Sequence, residues 1–150
     1  MPENSYLSDC IEEYKINAGA LTIILIPFLE QDCYDQLLWA CDVNFVRGED
    51  SCVRALWAGR PFIWQIYPQH DGVHWQKLRA LSQLLGDSAL ENAWLAWNGE
   101  GDIAQAWTDL LQARTACQQH IQAWSAKLAS NNLASNLLDF CQKVREQTLL

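Results

Sequence analysis

Arg47-Gly48-Glu49-Asp50-Ser51 sets a forked cation, a glycine, two carboxylates and a hydroxyl in five consecutive positions. A guanidinium can grip a diphosphate with two parallel hydrogen bonds. Glycine admits a positive φ and lets a ligand come close to the backbone. The two acids repel phosphate, so they suit hydrogen bonds from a sugar or base, or a helix start. Before the stretch, Asp42-Val43-Asn44-Phe45-Val46 reads as a buried strand; after it, Cys52-Val53-Arg54-Ala55-Leu56-Trp57-Ala58 reads as a helix stopped by Gly59. Such a strand-to-helix turn lies where open α/β sheets bind ligands, and the helix start offers free N–H groups and a partial positive charge. Spacing alone leaves two readings open. One is a ligand turn. The other is a plain N-cap at Glu49, Asp50 or Ser51 with acids in the first turn.

Other chemistry has less to stand on. His70 and His74 are four apart, but Asp71-Gly72 between them opposes one helical face and no third ligand stands at metal spacing, so no metal is expected. Trp94, Trp97, Trp107 and Trp124 could stack sugars, yet their helical spacing favours a core role. The sequence has no G-x-G-x-x-G, P-loop or G-x-S-x-G motif. Its six cysteines form no C-x-x-C pair and read as small apolar residues of a reduced protein.

The elements that must position the turn follow from periodicity. Residues 4–16 read as an amphipathic helix ended by Asn17-Ala18-Gly19. Residues 21–26 are apolar without alternation, which predicts a strand buried on both faces of a parallel sheet. A loop through Phe28 and Gln31 leads to a short helix over 34–40, and a third strand over 62–67 closes at Pro68. Three strands separated by helices predict right-handed crossovers. The loops 28–34, 47–51 and 67–74 then converge at the carboxyl edge, which favours a ligand site. From Val73 onward the pattern is helical: one helix to Gly86, one over 89–97, a long one capped by Asp102, and a last one after a turn at Ser130-Asn131-Asn132 with Leu133, Leu137, Phe140 and Val144 inward.

At 150 residues the chain is long enough for one domain with a real core, and half of it is hydrophobic. Net charge is −8, and residues 1–60 hold ten of the eighteen acids but four of the ten bases. That field opposes nucleic acid and anionic membranes and favours a basic protein partner. No apolar run reaches the ~20 residues of a membrane span, and no basic start precedes an apolar segment, so a cytoplasmic protein without a signal peptide is expected.

An ordered series of segments then becomes specific. Phe28-Leu29-Glu30-Gln31, Tyr34-Asp35-Gln36-Leu37-Leu38-Trp39, the run from Asp42 through Ser51, Val53-Arg54-Ala55, Trp57-Ala58-Gly59, Pro61-Phe62, Tyr67-Pro68-Gln69, His74 and Lys77-Leu78 resemble the bacterial elongation factor P arginine rhamnosyltransferases. The likeness is dense over 18–81 and looser beyond; Cys52 and Leu56 depart from it at packing positions. It implies an α/β fold: the Rossmann-like C-terminal domain of a GT-B glycosyltransferase, with a truncated sheet of about three strands. Residues 1–86 would be the nucleotide-sugar-binding part, and 87–150 its C-terminal helices. The implied activity is inverting transfer of L-rhamnose from dTDP-β-L-rhamnose to an arginine of elongation factor P, without a metal or other cofactor. Carried over residue by residue, Gln31, Phe28 and Tyr34 would meet the nucleoside. Asp50 and Ser51 would meet the diphosphate, Glu49 would position the donor sugar, and Arg47 would hold the turn or the phosphates. The catalytic base and most of the elongation factor P contact would belong to a first domain without counterpart in these residues, so the chain alone would be inactive. The alternative is a non-catalytic acidic module that binds a basic protein.

Overall fold

Two parallel strands carry the centre of the molecule. The computed structural model describes residues 14–129 and 132–148. β3 (Asn44–Arg47) and β4 (Phe62–Gln65) pair in parallel, with Asn44 opposite Phe62 and Arg47 opposite Gln65. Their carboxyl ends therefore lie at one edge, and the turn after Arg47 and the loop after Gln65 leave the sheet side by side. Helix α2 (Glu49–Ala58) packs on both strands, and α4 (Ser88–Trp97) packs on β4. Phe62, Ile63, Leu90 and Trp94 are fully enclosed between these elements. Helix α1 (Gln31–Ala40) packs on α2, α3 (Val73–Leu85) on α4, and the long α5 (Ile103–Ala129) across α2 and α4.

Local chemistry explains most boundaries. Asp87 caps α4 by accepting from Leu90 N–H at 3.0 Å. Asp102 accepts from Ala104 and Gln105 at the start of α5, as its spacing predicts. Gly59 ends α2 at φ 66°, where a side chain would press on Gln122 of α5. The last carbonyls of α3 are held from outside: Leu85 O meets His120 Nε2 and accepts from Trp124 Nε1. Burial pushes the Cys52 thiol up to about 12, so it behaves as a core residue.

The amino-terminal expectations need correction. Residues 4–13 of the proposed first helix lie outside the described residues. Residues 14–16 are strand, not helix: β1 (Tyr14–Ala18) pairs antiparallel with β2 (Leu21–Leu25). Gly19, read as a helix stop, sits at φ 64° in the two-residue connection of this hairpin. A glycine after an apolar segment suits both structures, and the neighbouring β-branched strand decides the outcome. β2 is a strand as expected, but it is antiparallel and its two faces are exposed. Among the described residues the central sheet has two parallel strands, not three. At the other end, α6 (Leu133–Thr148) starts at Asn132, whose side chain accepts from Ser135 N–H at 3.1 Å. Its stripe was expected inward; instead Leu133 is 79% exposed and Leu137, Phe140 and Val144 are exposed too. Helical periodicity shows which residues share a face, not whether anything covers it.

Asn98 finishes the sheet. Its Oδ1 accepts from Ile66 N–H at 3.1 Å, and its Nδ2 donates to Trp64 O and Trp94 O, both at 2.8 Å. The side chain thus stands in for a neighbouring strand at the end of β4. Asn98→Ala is expected to destabilise the chain by about 2 kcal/mol, because partly buried backbone groups lose their partners. Urea unfolding checks this, and Asn98→Asp, which keeps the acceptor for Ile66 N–H but turns a carboxylate oxygen toward the Trp64 and Trp94 carbonyls, should recover none of the loss.

Candidate functional site

The turn after β3 begins with Gly48 at φ 80° and ψ 168°, which is the N-cap of α2. No side chain caps this helix. Glu49, Asp50 and Ser51 are instead its first three residues, so the reading of one of them as N-cap is corrected. The reason lies in the backbone: the chain leaves β3 in a conformation open to glycine, which already supplies the half-turn a capping residue would make. The first backbone N–H groups of α2 point out of the helix start without an intrahelical partner. Trp64 Nε1 donates to Gly48 O at 2.9 Å in a buried bond and pins the peptide from beneath.

Two of the three loops touch, and the third is tied to the turn through Arg54, by another topology than three parallel strands. Tyr67, from the loop after β4, lies so close to Gly48 that an added Cβ would stand 3.1 Å from its Cε2. The Arg47 guanidinium rests 4.6 Å above the centre of the same ring. Lys77 of α3 pairs with Glu49 at 3.8 Å. On the other side, Arg54 Nε donates to Asp50 at 3.1 Å and Nη1 to Asp35 of α1 at 3.0 and 3.2 Å. With its amide oxygen turned toward the guanidinium, Gln31 accepts from Arg54 Nε and Nη1 at 3.1 Å. Tyr34 is half-buried against the core, Ser51 is half-buried, and Phe28 is fully exposed on the segment before α1. The structure therefore ties Gln31 to Asp50 through Arg54, sets Arg47 on Tyr67 and Glu49 against Lys77, and leaves Phe28 fully exposed.

Charge is balanced here although the whole chain is acidic. Three cations, Arg47, Arg54 and Lys77, stand among three carboxylates, Asp35, Glu49 and Asp50. Each acid that would oppose an anion at the helix start has a cation against it. Arg54, Asp35, Tyr67, Trp64 and Lys77 were given no role in the site from sequence. The four-residue spacing of Asp50 and Arg54 on one helix was a readable signal. The Arg54–Asp35 contact, nineteen residues apart, was not.

Among the described residues no cluster of His, Cys, Asp and Glu is arranged to hold a metal, and His74 Nδ1 accepts from Gln69 N–H at 3.0 Å within its own loop. A shallow depression of about 210 Å³ between α4 and the start of α5, lined by Leu95, Glu100 and Gln105 among others, shares no residue with the turn. No helix among the described residues is long and apolar enough to cross a membrane.

Comparison with known proteins identifies the family. The family model for the elongation factor P (EF-P) rhamnosyltransferase EarP matches residues 4–142. A protein-arginine rhamnosyltransferase of Pseudomonas putida is 45% identical over 130 residues, which covers 81% of this chain and 34% of that protein. The Pseudomonas aeruginosa protein of the same name is 43% identical, covering 93% of this chain and 42% of that one. A solved structure described as the structural basis for EarP-mediated arginine glycosylation of translation elongation factor EF-P superposes with a TM-score of 0.72 at 42% identity, over 86% of this chain and 43% of the other. This chain thus spans about a third to two fifths of the length of the curated relatives it matches, and over that span it belongs to the EF-P rhamnosyltransferase family.

Proposed function

We propose that this chain is the donor-binding part of a protein-arginine rhamnosyltransferase, which moves L-rhamnose from dTDP-β-L-rhamnose to an arginine of elongation factor P with inversion. The observation that carries the reading is the start of α2, which no side chain caps and around which charges balance. As the bond from the anomeric carbon to the diphosphate breaks, negative charge builds on the departing phosphate oxygen. Backbone N–H groups of Asp50 and Ser51, the Ser51 hydroxyl and the helix dipole are the groups to receive it. Glu49 positions the rhamnose, Arg47 supports the turn beside the phosphates, and Gln31, Tyr34 and Phe28 take the nucleoside. Phe28, fully exposed here, would meet the base only in company with the nucleotide. Residues 1–86 then form the Rossmann-like donor half of a GT-B enzyme, and 87–150 brace it. No step in this scheme needs a metal, and the setting is the cytoplasm.

Attack by an arginine guanidinium needs a base to accept its proton. None of the cluster's carboxylates is free for that task, because each is paired with a cation. In this reading the base and the acceptor surface belong to another domain, and the 150 residues alone should bind donor without transferring it. Calorimetric titration of the chain with dTDP, with UDP as the control, tests this. Saturable dTDP-selective binding is expected. A hydrogen bond to a charged group contributes about 1.5–3 kcal/mol, so Ser51→Ala should weaken dTDP by about tenfold or more. Equal binding of both nucleotides, indifference to Ser51→Ala, or rhamnosylation by the isolated chain would each overturn the reading.

A further inference from the structure

Arg54 touches more of the cluster than any turn residue. It lies on the second turn of α2, with its side chain 24% exposed. From there it reaches backward to Asp50 on its own helix and across to Asp35 and Gln31 on the first turns of α1. Among the described residues no backbone hydrogen bond joins these two helix starts. One guanidinium supplies the link with a rigid planar fork, which a single-point cation cannot do.

The consequence concerns both ends of a nucleotide. Gln31 stands on the α1 side and Asp50 on the α2 side, and Arg54 is the group in contact with both. We propose that Arg54, anchored by Asp35, is a positioning residue that sets the spacing between the nucleoside side and the diphosphate side of the site and cancels the charge of Asp50 beside the diphosphate. This rests on the donor-site reading above. Without Arg54, Asp35 and Asp50 become two uncompensated carboxylates near the phosphates, and Gln31 loses the donor that orients its amide. The phosphate-bearing ligand should suffer most. Part of that penalty should fade as salt screens the exposed carboxylates.

The test compares dTDP by calorimetry with thymidine by NMR titration, on the full chain and its Arg54→Gln, Arg54→Lys and Arg54→Gln/Asp35→Asn variants. Arg54→Gln should weaken dTDP by about tenfold and thymidine by much less. Removing the stranded carboxylate in Arg54→Gln/Asp35→Asn should return part of the dTDP affinity. Arg54→Lys, with the charge but not the fork, should fall between wild type and Arg54→Gln. Thermal melting checks the fold, and Arg54→Lys carries the comparison if Arg54→Gln does not fold. Equal losses for dTDP and thymidine, no loss, or no recovery with Asp35→Asn would overturn the inference while leaving the donor site standing. Failure of the wild-type chain to bind dTDP would overturn both.

Discussion

Trp94→Ala is expected to destabilise the chain by about 3–5 kcal/mol, the range for removing a large buried aromatic. Trp94 has no exposed surface. Its ring lies 5.0 Å from Phe62 and 6.0 Å from Trp64, centre to centre, and its Nε1 donates to the Phe62 carbonyl. It is the side chain by which α4 closes its face of β4. Truncation leaves a cavity and an unsatisfied carbonyl together, and with total stability of about 5–15 kcal/mol this takes about a fifth or more of it. Trp94→Phe separates the two effects. It refills most of the cavity but loses the donor, so a loss of about 1–3 kcal/mol is expected. Urea unfolding followed by far-ultraviolet circular dichroism reads both. A change below about 1 kcal/mol for Trp94→Ala would contradict the packing of α4 on the sheet. The effect extends to the site, because Trp64, packed on Trp94, is what holds the Gly48 carbonyl.

The parts of this arrangement that were legible in the sequence are those fixed by local rules. Strand, glycine, two acids and an apolar-periodic run place β3 and the turn within two residues and α2 within three. Asp102 before Ile103 marks a helix start because its side chain reaches only the N–H groups two and three residues on. The rest depended on partners distant in the chain. Apolar residues on both faces of β2 say that the strand suits burial, but not which strand pairs with it or in which direction; adjacency to β1 gave a hairpin. The stripe of α6 is as regular as that of a packed helix, yet no described element lies extensively against it. At the turn itself, side-chain preference pointed to Glu49, Asp50 or Ser51 as the cap, whereas the backbone path past Tyr67 requires Gly48 in that place. The candidate residues were found through their types and the family likeness. The contacts that hold them, Arg54 to Asp35 and Gly48 to Tyr67, span nineteen residues each and leave no periodic trace.

Gly48→Ala should be the most damaging single change within the turn, with an expected loss of about 2–4 kcal/mol. Two independent obstacles meet there. At φ 80° and ψ 168° the backbone occupies a region essentially closed to residues with a Cβ, at a cost of about 1–3 kcal/mol. The new Cβ would also stand 3.1 Å from Tyr67 Cε2, closer than ordinary contact. Rotating the peptide to relieve the strain would break the buried bond from Trp64 Nε1 to Gly48 O, so one penalty is exchanged for another. Displacing Tyr67 instead would disturb the ring under Arg47. A double variant resolves the two parts. Gly48→Ala/Tyr67→Ala removes the contact and keeps the backbone strain, so it should regain less than half of the stability that Gly48→Ala loses relative to Tyr67→Ala alone. Full recovery would mean that contact, not conformation, selects glycine. The loss should lower the melting temperature by about 2–4 °C for each kcal/mol. Donor binding should fall further than stability predicts, because the N–H groups of Asp50 and Ser51 take their direction from the peptide that Gly48 begins. A folded Gly48→Ala chain with unchanged dTDP affinity would separate the turn from the ligand altogether.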